Sequence, residues 1–214
     1  NLYDSHDTDR WVSRLYNPDL PYDNNNRLQQ EDGRDFDPTR PAEEYYEKMK
    51  LMALFQSTWI GAPMIWYGTE VGMYGADDPQ TRMPMWWDEM MPYEWEDYRV
   101  DEDLREYFQE LFEIRAEHEV LRRGNVLTAK AQENSPVYAY YRWAPQYDET
   151  ILVVVNSGDS GAEAIIEPMK PATDRNFGAY EVIMGTERVT PRVERGEMFV
   201  ELGPRQGAAI LIEK

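Results

Sequence analysis

Apolar residues are sparse and unpatterned from Asp4 to Arg40. Asn, Asp, Pro and Arg dominate there, as in "NPDLPYDNNNRLQQEDGRDFDPTRP". This is loop composition, with one short helical turn near Asp9–Leu15. A loop of that length in a compact domain is usually functional or poorly ordered. The preceding "NLY" reads as the tail of a strand. A helical period then begins in "PAEEYYEKMKLMALFQSTWIGAP". Tyr45, Met49, Met52 and Phe55/Gln56 recur near that period, and Leu51, Leu54 and Thr58 widen the apolar face. Thr39 is placed to cap this helix and Pro41 suits its first turn. Glu43 and Glu44 sit where the helix dipole is positive. Gly61 and Pro63 stop it. "PMIWYG" follows, short, apolar and closed by Gly68, which predicts a buried strand. Helix, tight turn and strand make an α/β unit.

A second helix is predicted from Asp101 to Val120, with Leu104, Phe108, Leu111, Phe112 and Arg115 near helical spacing and Gly124 at its end. After Asn125 the period changes to two. "VLTAK", "VYAYYRW", "TILVVVNSG", "AEAIIE", "GAYEVIMG", "EMFVELG" and "GAAILIEK" are short, β-branched or alternating, and separated by turn residues. They predict an antiparallel sandwich of seven or eight strands. The fold class is therefore α+β, with an α/β part over residues 1–122 and an all-β part over 123–214.

Charge narrows the partners. There are 41 Asp and Glu against 22 Lys and Arg, a net charge of −19. Such a surface repels phosphate backbones, so nucleic acid is not an expected partner. Lys occurs only at positions 48, 50, 130, 170 and 214. That scarcity fits adaptation to high salt or simply an acidic surface. No run of about 18 apolar residues would cross a membrane. The lack of Cys excludes disulfides and thiolate chemistry, and two histidines without a Cys or His cluster argue against zinc. No cofactor is expected. Calcium is conceivable at Asp77/Asp78, but no spaced ligand loop accompanies them.

Two polar clusters carry candidate chemistry. "DSHDTDR", Asp4–Arg10, packs three carboxylates, a histidine and an arginine into seven residues. Asp7 can place negative charge near an oxocarbenium-like transition state, His6 can donate to a hydroxyl, and Arg10 can orient Asp7 by a charge-assisted bond. A solvated polar turn explains the same residues. Further on, Asp78 and Arg82 lie four apart in the loop after "PMIWYG". Together they offer acceptor and donor groups for vicinal hydroxyls, or a plain loop ion pair. In an α/β barrel the loops after the strands build the active site.

"SHDTDR" followed by "GAPMIWYGTEVGMYGADDPQTRMPMWWD" (Gly61–Asp88) resembles the α-amylase family, glycoside hydrolase family thirteen. The "ADDPQTRMPMWWD" loop most resembles the neopullulanase and cyclomaltodextrinase branch. The match covers residues 1–120; the all-β part fits that family's C-terminal domain in architecture only. The resemblance implies the last strands and helices of a (β/α)8 barrel, from the end of strand seven to helix eight, followed by an antiparallel sandwich. It implies that Asp7 is the third catalytic carboxylate and that His6 contacts the sugar beside the scissile bond. It implies that Asp78 and Arg82 bind glucose on the non-reducing side, with Arg10 and Glu70 as supporting groups. Ser5 stands where many relatives carry Asn. The family mechanism is retaining and needs a nucleophile and a general acid about 5 Å apart. Both come from strands upstream of the "HD" motif, and nothing in this chain resembles them.

The expectation is thus a fragment of a retaining α-glucan hydrolase, inactive alone, with an α-glucan oligosaccharide as partner. A transglycosidase parent would use the same residues. The alternative is a non-catalytic carbohydrate-binding or interaction module. Of the aromatics Trp86, Trp87, Tyr93 and Trp95, Trp86 or Trp87 could line an acceptor subsite, or most could pack under the loop. His118 reads as a packing or helix-end residue. Barrel elements without their neighbours would expose apolar surface, so a homodimer is expected.

Overall fold

The structure, a computed structural model, describes residues 2–20, 26–27, 36–91, 97–131, 135–170, 172–173 and 177–213. They form two compact units, Asn1–Lys50 with Pro63–Gln109, and Leu51–Ala62 with Glu110–Lys214. Two 16-residue helices, α2 (Glu43–Thr58) and α3 (Glu102–Glu117), contribute residues to both.

The first unit holds a short helix, α1 (Trp11–Tyr16), the first halves of α2 and α3, and single 3-10 turns at Thr69–Val71, Gln80–Arg82 and Asp88–Met90. Trp11 and Val12 anchor α1 in the core, and Tyr3 stacks on Trp11 with ring centroids 4.1 Å apart. Helix α2 starts at Glu43, two residues after Pro41. Thr39 does not cap it; its hydroxyl and amide donate instead to the Asp37 carboxylate. The buried face begins at Tyr46 rather than Tyr45, and the Tyr46 hydroxyl donates to the Gly72 carbonyl at 3.3 Å. Asp101 is a true cap: its carboxylate accepts the Leu104 amide at 3.0 Å, and α3 follows at once.

"PMIWYG" is not a buried strand. Met64 makes one parallel bridge, to Leu2, and both residues are close to half exposed. A parallel strand lives by neighbours on both sides; among the described residues Leu2 is the one bridge partner. The following turn needs Gly68. Its φ is +85°, and a Cβ there would lie 2.1 Å from the Met73 sulfur.

The second unit is built on eight strands. β1 (Asn125–Ala131), β2 (Val137–Trp143), β3 (Glu149–Asn156), β4 (Ala162–Ile166), β5 (Tyr180–Gly185), β6 (Arg192–Glu194), β7 (Glu197–Leu202) and β8 (Gly207–Glu213) form two antiparallel sheets, ordered β1-β2-β3-β8-β5 and β4-β7-β6. The expected runs all became strands. The short β6 was not read from the sequence; it pairs with β7 across Arg195 and Gly196, both at positive φ, as a right-twisted two-residue hairpin requires. One apolar cluster joins the two sheets: Ala139 and Tyr141 from β2, Leu152 and Val154 from β3, Ala164 and Ile166 from β4, Met198 and Val200 from β7, and Ile210 from β8. Strand β3 is buried on both faces from Thr150 to Asn156. On the outer face of β2, Phe55, Trp59 and Thr58 of the helical segment surround Tyr140, whose hydroxyl lies 2.6 Å from Thr58 Oγ1.

Two buried arginines finish the helices of this unit. Arg115 donates to the carbonyls of Ser57, Leu121 and Gly61. Arg142 donates to those of Thr58, Gly124 and Asn125. Ser57 and Thr58 are the last residues of α2, where helix carbonyls have no internal partner. Neither arginine has a carboxylate in these contacts. Burial lowers both guanidinium pKa values, that of Arg142 to about 10. The predicted helix over residues 101–120 is in fact two, because α3 ends at Glu117 and α4 (Glu119–Arg123) follows His118. Glu149 takes one carboxylate oxygen to His118 Nδ1 at 2.7 Å and the other to the Val120 amide at 3.3 Å.

Candidate functional site

The first unit brings together residues that are more than seventy positions apart in the chain. Arg82 ends the 3-10 turn Gln80–Arg82, and its guanidinium uses all three nitrogens. Nε donates to the His6 carbonyl at 2.9 Å, Nη2 to Asp7 Oδ1 at 2.6 Å, and Nη1 pairs with Asp78 Oδ1 at 3.1 Å. His6 Nε2 lies 2.8 Å from the second Asp7 oxygen. The His6 ring stands 5.8 Å from that of Trp66. Four of the six expected site residues therefore form one cluster. It is open: the side chains of His6 and Asp7 are 58% and 61% exposed, those of Arg82 and Asp78 47% and 30%. A planar fork between two carboxylates, with an imidazole alongside, matches the donors and acceptors of a polyol.

Arg10 is not where the sequence suggested. Its guanidinium is fully buried and donates to the carbonyls of Tyr67 and Thr81 rather than to Asp7. Its backbone amide donates to the Gly75 carbonyl at 3.0 Å, and its guanidinium carbon lies 4.9 Å from the Tyr67 ring centroid. Arg10 thus ties the segment carrying Arg82 to the segment carrying Asp7, from below. Burial lowers its pKa, and Asp4, Tyr67 and Glu70 oppose that shift. Glu70 is half-buried, close enough to Arg10 and Asp4 to feel both charges. One of its oxygens is buried without a hydrogen-bond partner among the described residues, and burial raises its pKa.

Two carboxylates of the same segment were missed. Asp4 is 2% exposed and accepts the Trp11 amide at 3.2 Å and the Thr69 hydroxyl at 2.7 Å. Asp9 is equally enclosed. Within a run as polar as "DSHDTDR", nothing in the sequence separates the enclosed acids from the exposed one. Trp86 is buried, stacked on Tyr98 at 4.8 Å and edge-on to Tyr74, so it packs under the loop. Trp87 is 53% exposed. Tyr93 and Trp95 lie outside the described residues. Among the described residues no group of three or more His, Asp or Glu side chains is arranged to hold a metal ion. No helix among them is long and apolar enough to cross a membrane.

No family model matches the chain. Individual relatives do. A cyclomaltodextrinase of a Bacillus species is 41% identical over 114 residues, 53% of this chain and 19% of the relative. Neopullulanase 2 of Thermoactinomyces vulgaris is 31% identical over 157 residues, 73% of this chain and 20% of the relative. Among solved structures, a cyclomaltodextrinase superposes with a TM-score of 0.67 at 28% identity, over 98% of this chain and 29% of its own. AmyP in complex with maltose reaches 0.73 at 20% identity over the whole chain and 40% of its own, a likeness of fold. The chain thus spans about a fifth of the length of these curated relatives. These matches define a stretch of α-amylase-family sequence and fold. Within that family the chain stands near the neopullulanase and cyclomaltodextrinase branch.

Proposed function

We propose that this chain is the part of a retaining α-glucan hydrolase that grips sugar and stabilises the transition state, and that it is inactive without a nucleophile and a general acid. In this reading residues 1–122 are the last elements of a (β/α)8 barrel and 123–214 its C-terminal sandwich. Asp7 supplies negative charge beside the developing oxocarbenium ion, and His6 donates to a hydroxyl of the same sugar. Asp78 and Arg82 hold the glucosyl unit on the non-reducing side. Arg10 and Glu70 act from beneath, through the backbone of the site. Cyclodextrins, maltodextrins and pullulan are the proposed substrates of the whole enzyme.

The observation that carries the reading is the Arg82 fork, which joins Asp7 to Asp78 in the open. A loop ion pair would need one of those carboxylates; holding both, with a histidine alongside, leaves a row of acceptors and donors turned to solvent. The names of the relatives point to the same substrate class. The second reading, a non-catalytic sugar-binding module, is favoured by the same openness and by the absence of any nucleophile motif in this sequence. Calorimetry with maltoheptaose on the chain and on its Asp78→Ala and Arg82→Ala variants separates them. A heat of binding that both variants abolish, with no release of reducing sugar from pullulan, supports the leading reading. Binding that both variants leave intact supports a module working through another surface. Turnover at enzyme-like rates refutes the claim of inactivity.

A further inference from the structure

Asp9 follows the exposed Asp7 by two residues in the chain but is itself enclosed. Its carboxyl is 2% exposed. The carboxylate is held by its own backbone amide and, at Oδ2, by a long hydrogen bond from Asn26 Nδ2 at 3.5 Å, while Oδ1 has no side-chain partner among the described residues. A buried carboxylate ordinarily accepts several short bonds, so this one is poorly compensated when ionised. Two described charged side chains face it. Arg14 attracts it, but the Arg14 guanidinium is bonded to the carbonyls of Asn17 and Leu20. Asp77, itself 3% exposed, repels it. Burial is the largest influence and pushes the Asp9 carboxyl up to about 6.

A short bonded path leads from Asp9 to the sugar-facing carboxylate. Asn26, which holds Asp9 through its side chain, accepts the Asp77 amide on its backbone carbonyl at 3.0 Å. Asp77 Oδ1 accepts the Asp78 amide at 2.5 Å. Asp78 Oδ1 meets Arg82 Nη1 at 3.1 Å. The Asp77–Asp78 turn is therefore hung between an enclosed acid and an exposed fork.

We propose that Asp9 is a positioning residue for the Asp78–Arg82 pair: by taking up or releasing a proton it alters its hold on Asn26 and its repulsion of Asp77, and so sets where the turn presents Asp78 to a bound glucosyl unit. The protonated acid both donates and accepts, and leaves Asp77 undisturbed. The ionised form draws on the Asn26 amide and pushes Asp77 away. This deepens the proposed function and rests on the reading of Asp78 as a sugar contact, but the coupling itself is readable without sugar.

The test is a carboxyl-carbon NMR titration of the 214-residue chain labelled at Asp, across pH values either side of about 6. The Asp78 signal is expected to inflect at the midpoint of Asp9's own titration. Asp9→Asn, which mimics the neutral acid, is expected to remove that inflection and hold Asp78 at its low-pH position. An Asp78 signal that is flat through the Asp9 midpoint, or an inflection that survives Asp9→Asn, overturns the proposal. Should the variant not fold, the wild-type midpoints decide: values more than about one pH unit apart overturn it. Maltoheptaose added on each side of the midpoint separates the two claims. Sugar that leaves the Asp78 signal unperturbed at every pH sinks the sugar-contact reading on which the proposal rests. A sugar response with no pH dependence linked to Asp9 sinks the positioning role alone.

Discussion

Arg82 and Arg10 show how differently one residue type behaves in the open and in the interior. Arg82 pairs with carboxylates that remain largely solvated, and exposed pairs of this kind are worth about 1 kcal/mol or less. Arg82→Ala is therefore expected to shift stability in urea by less than about 1 kcal/mol while abolishing sugar contact. Arg10 is enclosed and donates to two backbone carbonyls that would lose their partner with it. Arg10→Met is expected to cost on the order of 3 kcal/mol, and Arg10→Lys to restore little, because one ammonium cannot span both carbonyls. A loss at Arg82 as large as at Arg10 would refute this division. Asp9 adds a pH term of definite sign. Its folded pKa is raised, so the stabilisation it contributes is fully present below about pH 4 and is lost as pH rises through about 6. The difference between wild type and Asp9→Asn isolates it, at an expected 2 kcal/mol or so in order of magnitude. None of this burial was legible. The sequence shows charge and spacing; whether an Asp in a polar run is enclosed depends on segments seventy residues away.

At the scale of elements, pattern was a good guide wherever an element is stabilised by its own face. The all-β runs alternate because each strand has an inner row, and the core residues of β2, β3, β7 and β8 follow that alternation. Helix α3 likewise buries Leu104, Phe108, Leu111 and Arg115, as its spacing required. "PMIWYG" misled for the opposite reason: an apolar run becomes a parallel strand through its neighbours, and periodicity is silent about them. The end of α2 was read as a Gly and Pro stop, but guanidinium groups hold it. Arg142→Met should expose the Thr58, Gly124 and Asn125 carbonyls to an apolar interior and cost about 2 to 4 kcal/mol in chemical denaturation. Burial does most to lower the Arg142 pKa, and the positive charge of Arg115 lowers it further, so the two groups repel each other. Each single variant already relieves that repulsion, so the double variant Arg115→Met/Arg142→Met should be more destabilised than the sum of its parts, by about 0.5 kcal/mol or more. Simple additivity would show that each arginine answers only to its own carbonyls.

For the molecule as a whole, two opposed surface properties set how it behaves in solution. Leu2 and Met64 are 48% and 44% exposed and joined by a single parallel bridge, which makes an exposed apolar edge. Such an edge recruits another strand. A net charge of −19 resists any such approach between identical chains. Coulomb repulsion between exposed charges is screened beyond about 10 Å at 0.1 M salt, whereas edge pairing and apolar burial are hardly weakened. The balance therefore tips with ionic strength: the chain is expected to be largely monomeric at low salt and to dimerise as salt is added, with sedimentation equilibrium as the measure. Met64→Lys places a charge on the exposed edge, a standard guard against strand pairing, and should hold the chain monomeric at every salt concentration. The site gives a second readout on the same samples. His6, Asp7, Asp78 and Arg82 lie on side chains that Met64→Lys does not alter, so maltoheptaose affinity should be the same in the variant as in the wild type. A dimer that is indifferent to both salt and Met64→Lys would place the association surface elsewhere, and the exposed bridge would then have no part in it.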